Sequence, residues 1–191
     1  MTFVSMTSAR RNPTQPAAGA LMAQEQTARW QAGDAPVATS AAPGAAVSAG
    51  AMVLLGGRRA FKQWPQSRAE IHGALVQGLP SAVLVSLLDQ LDLLAADDVA
   101  AALGLSSRTL RRLRDQPARP LPADLASKAW QLAETLAKAG VVFGDAAAAQ
   151  RWLAAPAMGL DGARPIDLLR TLQGGELVTE FLGRLELGVY N

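Results

Sequence analysis

From Phe61 onward, apolar residues recur at three- and four-residue intervals, and glycine or proline closes each run. That rhythm is the spacing of one face of an α-helix. No run of convincing length alternates apolar with polar as a half-buried strand would. The stretch 68–79 carries Ile71, Leu75, Val76 and Leu79, with Gly78 at its end and Pro80 placed to open the next helix. Residues 80–94 follow with Val83, Leu84, Leu87, Leu88 and Leu91. Short helices are expected at 97–103, closed by Gly104, and at 106–114. A long helix is expected over 122–139, with Gly140 as its stop. Asp145 is placed to cap a helix to Leu153, before Pro156. Pro165 opens a helix that should end at Gly174-Gly175, and a last helix, 176–187, precedes Gly188. Its stripe is Leu177, Val178, Phe181, Leu182 and Leu185. A short strand around 141–143 is the one open alternative. The fold class expected is all-α.

The first 60 residues obey no such rhythm. Ala, Gly, Pro, Ser and Thr make up 35 of them. A stretch of that composition buries too little apolar surface to offset the entropy of ordering it. It is read as a disordered tail over 1–60, dispensable up to residue 55. The apolar run 45–55 is broken by Ser48 and Gly50 and is too short for a bilayer, which takes about 20 residues. A cytoplasmic protein with no membrane partner is expected. Beyond the tail the reading divides the body into 61–120 and 121–191.

Catalytic chemistry finds little to work with. There is no Cys, which excludes disulfides, thiolate nucleophiles and zinc-thiolate sites. The single His, His72, leaves no multi-histidine metal site within one chain. It stands beside Ile71 and is read as structural or solvated. Gly56-Gly57 and Gly174-Gly175 lack the spacing of a phosphate-cradling loop. No enzyme, no cofactor and no metal site is expected.

The sharpest local pattern is 96–113, ADDVAAALGLSSRTLRRL. Ala100 is the small residue that lets a second helix cross closely, and Gly104 suits the left-handed turn four positions later. Val99, Leu103, Leu105, Leu110 and Leu113 fill the inward places, and Ser106 can cap the second helix. Asp97 and Asp98 suit the positive end of the first helix dipole. On the second helix, Arg108, Arg111 and Arg112 point away from Leu110 and Leu113, flanked by Ser107 and Thr109. Net charge is only +2, so attraction to nucleic acid must come from this cluster. The pattern is a helix-turn-helix whose second helix enters the major groove. Its expected DNA-contacting residues are Ser106, Ser107, Arg108, Thr109, Arg111 and Arg112. The competing reading is a solvated arginine face on an ordinary helical hairpin.

Further along stand Phe143-Gly144, Trp152-Leu153, Pro156, Leu160, Gly162, then Arg164-Pro165-Ile166-Asp167-Leu168-Leu169, Thr171, Gly174, Val178, Leu182, Leu185 and Gly188. In that order they resemble the toxin-binding domain of the Xre/MbcA/ParS antitoxins, partners of RES-domain toxins. The resemblance covers about 65–191, with Gly78-Leu79-Pro80 and the helix-turn-helix matching the family's N-terminal half. The long Ala-rich tail departs from the shorter family members. The resemblance implies a helix-turn-helix half followed by a small helical toxin-binding domain. It implies a partner that consumes NAD or ADP-ribosylates a target, neutralised by covering its active site. It also implies operator DNA as a second partner, autorepression, and a homodimer within a larger toxin–antitoxin complex.

On the residues themselves, Arg164, Asp167 and Arg170 can reach outward from an apolar segment, as can Arg184 from the last helix. The end Gly188-Val189-Tyr190-Asn191 offers one aromatic and a free carboxylate to a partner's nucleotide pocket. These eight are the expected toxin-binding residues. Trp152 is read mainly as core packing, and Trp130 as core or dimer interface. Two readings compete with the antitoxin: a stand-alone helix-turn-helix transcription regulator without a toxin, and a structural protein whose arginine face meets an acidic partner.

Overall fold

A computed structural model describes residues 43–188 except residue 62. Within them lie nine α-helices and no strand. They are α1 (Pro43–Leu54), α2 (Arg68–Gln77), α3 (Ala82–Leu88), α4 (Ala96–Ala102), α5 (Ser107–Arg114), α6 (Ala123–Phe143), α7 (Ala146–Ala154), α8 (Pro165–Leu168) and α9 (Leu172–Glu186). The fold is all-α, and the alternative of a strand at 141–143 falls, because α6 runs through it.

α6 is the axis. Leu125, Trp130, Leu132 and Leu136 are buried along it, interleaved with buried Ala126, Ala129, Ala133, Ala137 and Ala139. Alanines keep its surface low, so neighbouring helices approach on several sides: α1, α2, α7 and α9 all pack on it. Phe61 meets Trp130 edge to face at 6.4 Å, which places Trp130 in the core.

Four expectations need correcting. The first concerns the tail. Residues 43–54, expected to be structureless, form α1 and bury Ala51, Met52, Leu54 and the following Leu55. Ser48 and Gly50 do not break the helix. Gly50 is the crossing point: a Cβ there would stand 3.0 Å from the Cβ of Ala137. The segment lacks helical amphipathicity of its own, and the alanine face of α6 supplies the partner it needs. Residues 1–42 lie outside the described residues.

The second is the stop of α6, which falls not at Gly140 but at Gly144, where φ is 92° and the N–H donates to the Gly140 carbonyl at 2.9 Å. A glycine inside a helix costs only about 1 kcal/mol, and it is the left-handed cap that requires one. The third is the break between the last two helices. α8 is a single turn, Thr171 caps α9 by accepting from the Gly174 N–H at 3.1 Å, and Gly174-Gly175 lie inside α9. Both glycines are buried. A Cβ on Gly174 would overlap the Leu168 carbonyl, and one on Gly175 the Gln131 amide. They are contact points, not stops.

Pro80 does not open α3 either. It pairs in an isolated antiparallel bridge with Pro120, and the Leu121 N–H donates to the Leu79 carbonyl at 2.8 Å. Fully buried Ser81 sets its Oγ 2.6 Å from the Arg119 carbonyl and 3.0 Å from that of Gln116. The chain leaving α5 is thereby strapped to the start of α3, which closes a three-helix unit of α3, α4 and α5.

Candidate functional site

α4 and α5 form a helical hairpin where the sequence leads one to expect the helix-turn-helix. Gly104 takes φ 70° in the turn, and the Leu105 N–H reaches the Ala100 carbonyl at 2.8 Å. Val99, Ala100, Leu103, Leu110 and Leu113 are buried between the helices and the core. Ser106 Oγ accepts from the Thr109 N–H at 3.2 Å, capping α5. Ser107 Oγ donates to Asp97 Oδ1 at 2.6 Å, tying the start of α5 to the start of α4. Both serines are thus committed to building the turn, and Thr109, half-buried, shares a 2.9 Å contact with Ser106.

The arginines are not so committed. Arg108, Arg111 and Arg112 are exposed, and no ion pair engages them among the described residues. Arg114 reaches Asp89 at 3.4 Å with both side chains half-exposed, a pair worth little in water. The outer face of α5 therefore presents three guanidiniums whose forks match phosphate oxygens or the guanine edge.

The C-terminal half grips this unit at two places that the sequence does not announce. Arg164, at the N-terminal boundary of α8, sends both terminal nitrogens to Asp98 in the first turn of α4, at 3.1 and 3.0 Å. Its Nε reaches Asp167 Oδ2 at 2.7 Å, and Arg170 reaches Asp167 Oδ1 at 2.8 Å. The hydrogen bond from Arg164 is the main cause holding the Asp167 carboxyl below the usual carboxylate range, and the same partnership raises the guanidinium of Arg164 further. Buried Gln150 on α7 makes the second grip: its Oε1 accepts from the Leu93 N–H at 2.9 Å and its Nε2 donates to the Gln90 carbonyl at 2.9 Å. The loop between α3 and α4 is clasped by one amide.

So Arg164, Asp167 and Arg170, expected to face a partner, come together in a charge chain with Asp98. Arg164 and Asp167 are half-buried and Arg170 is exposed. Arg184 lies apart from them on α9, 5.7 Å over the ring of Phe181. Gly188 closes the described chain at φ 68°; Val189, Tyr190 and Asn191 lie outside the described residues. Trp152 is half-buried between Phe143, 5.2 Å away, and Phe181, 6.2 Å away. His72 is exposed. Among the described residues no helix is long and apolar enough to cross a membrane.

A hairpin with an exposed arginine face is braced here by a small helical module, and comparison with known proteins says to which family that arrangement belongs. The antitoxin Xre/MbcA/ParS C-terminal toxin-binding domain matches residues 138–188. An Antitoxin Xre of Pseudomonas putida is 33% identical over 62% of this chain and 72% of its own length. An Antitoxin Xre of Yersinia enterocolitica is 30% identical over 66% of this chain and 86% of its own. The chain belongs to the Xre/MbcA/ParS antitoxin family. Its α7, α8 and α9 lie within the toxin-binding domain.

Proposed function

We propose that this antitoxin neutralises a RES-domain toxin by covering its active site and represses its own operon through α5. The DNA half of the reading rests on one observation. Arg108, Arg111 and Arg112 are exposed together on the helix that a helix-turn-helix inserts into the groove, while Leu110 and Leu113 of the same helix are buried. Ser106 and Ser107 act by holding the turn, and Thr109 lies at the edge of that face. Three contacts of this kind give a salt slope of about −3 per module, so useful affinity calls for a homodimer with two copies on one operator.

The RES half is supported by the Pro165-Ile166-Asp167-Leu168-Leu169 segment with its following Thr171 and Gly174, the motif that resembles the RES-paired antitoxins. The experiment joins both halves. The chain is co-expressed with the product of the neighbouring reading frame, purified through a tag on one of them, and titrated against the upstream DNA at several salt concentrations. Replacing Arg108, Arg111 and Arg112 with Ala abolishes DNA binding and leaves co-purification intact. Retained DNA binding in the triple variant would overturn the assignment of α5.

A further inference from the structure

Between α7 and α8 the chain makes a turn whose backbone is fully tied. The Ala157 N–H donates to the Ala163 carbonyl at 3.1 Å, and the Leu160 and Gly162 N–H groups return to the Ala157 carbonyl at 2.9 and 3.0 Å. The Ala163 N–H closes on the Leu160 carbonyl at 2.9 Å. Ala157 and Leu160 are buried beneath it, and Asp161 is held at φ 55°. A turn so pinned cannot fold back to hide what it carries. It carries Met158, which is 92% exposed.

Met158 does not stand alone. Its neighbour Gly159 lies against the Phe181 ring so closely that a Cβ would overlap it. α9 sets Leu177, Phe181 and Arg184 at i, i+4 and i+7, one stripe of a helix. Leu177 is 53% exposed. Trp152 lies behind, stacked on Phe181. Single exposed apolar side chains are ordinary; a contiguous patch on a rigid frame marks an interaction site. Its one cation, Arg184, has no carboxylate partner among the described residues. Every one of these positions falls in the 138–188 toxin-binding match.

We infer that Met158, Leu177 and the exposed edge of Phe181 form the anchor on which the toxin seats, with Arg184 at its rim. The toxin face that fits is an apolar slot bordered by an acidic side chain. Methionine suits the role because its unbranched chain adapts to an irregular slot. The inference rests on the toxin-neutralising reading and says which surface carries it out.

The test is calorimetric titration of the toxin from the neighbouring reading frame with the full chain and with Met158→Asp, Leu177→Glu and Met158→Leu variants. The first two weaken binding at least tenfold, the third retains it, and all three melt with the wild-type chain because neither side chain lies in the core. Arg184→Ala lowers the dependence of affinity on salt. Should the wild-type chain itself fail to bind that toxin, the toxin-neutralising reading falls and this inference with it. A wild-type chain that binds while both charged variants match its affinity overturns the inference alone. It is overturned equally if those variants change only the mass of the chain by light scattering, since the patch would then join copies of the antitoxin.

Discussion

Arg164 grips Asp98 with two parallel hydrogen bonds, of 3.1 and 3.0 Å, across 66 residues of sequence. The pair fastens the toxin-binding domain to the first turn of α4, the helix packed against α5. Asp98 already suits that turn through the helix dipole, and the bidentate fork adds direction to charge. Because Arg164 also holds Asp167, the three groups act as a unit, and effects within a unit do not add. Arg164→Ala and Asp98→Asn are each expected to lower the melting temperature, with the double variant falling short of their sum. Full additivity in a thermal double-mutant cycle would show that the pair contributes no coupling.

Asp167 gives that cluster a pH dependence whose sign is fixed. Its folded carboxyl sits below its ordinary value because Arg164, first, and then Arg170 favour the charged form. A depressed carboxyl stabilises the fold above the ordinary carboxylate value of about 4 and loses that contribution as pH falls through the lower folded value. Wild type should therefore exceed Asp167→Asn in melting temperature at neutral pH, with the gap closing towards pH 3. A gap constant from pH 7 to pH 3, followed by thermal melts, would detach Asp167 from the ion pair.

Gln150 is the less conspicuous brace. Replaced by Ala, it leaves the Leu93 N–H and the Gln90 carbonyl without their partner. Unmaking hydrogen bonds in a partly buried place costs about 1–3 kcal/mol. Urea unfolding should show a loss in that range. Unchanged stability would mean that water replaces the amide without penalty.

Much of this was legible in the amino-acid string, and the exceptions share a cause. Caps declare themselves locally: Ser106 and Asp145 cap α5 and α7 as their positions predict, by accepting from the Thr109 and Ala148 N–H groups. The inward and outward residues of α5 follow from the helical period alone. What depends on a distant neighbour does not show. α1 exists because α6 presents alanines to it, and nothing within 43–54 states that. Gly174 and Gly175 look like a stop until Leu168 and Gln131 are seen against them. Leu177 fits the apolar stripe of α9 by spacing yet faces outward, since its neighbour Val178 takes the core position. Asp98 reads as helix-start charge and gives no sign of Arg164.

The participation of α1 in the core can be weighed directly. Leu55 is fully buried at its end. Leu-to-Ala substitutions at such sites cost about 2–5 kcal/mol, so Leu55→Ala should lower the denaturation midpoint by a corresponding amount. The far-UV signal of the folded chain should hardly change. A midpoint within error of wild type would return residues 43–55 to the status of a dispensable tail.

Gly174→Ala is the sharpest probe of how α8 meets α9. The added methyl would overlap the carbonyl oxygen of Leu168, a backbone atom that cannot rotate away. Overpacking in cores costs about 1–3 kcal/mol even where side chains yield, so a loss at or above the top of that range is expected. Helix propensity works the other way, since Ala is favoured over Gly by about 1 kcal/mol inside a helix. The sign of the measured change therefore decides between them. Destabilisation by urea titration means that the close approach of the two helices governs this position. A stabilised variant would mean that the helices separate readily, and the fastening of α8 to α4 through Arg164 would then have to hold without α9 behind it.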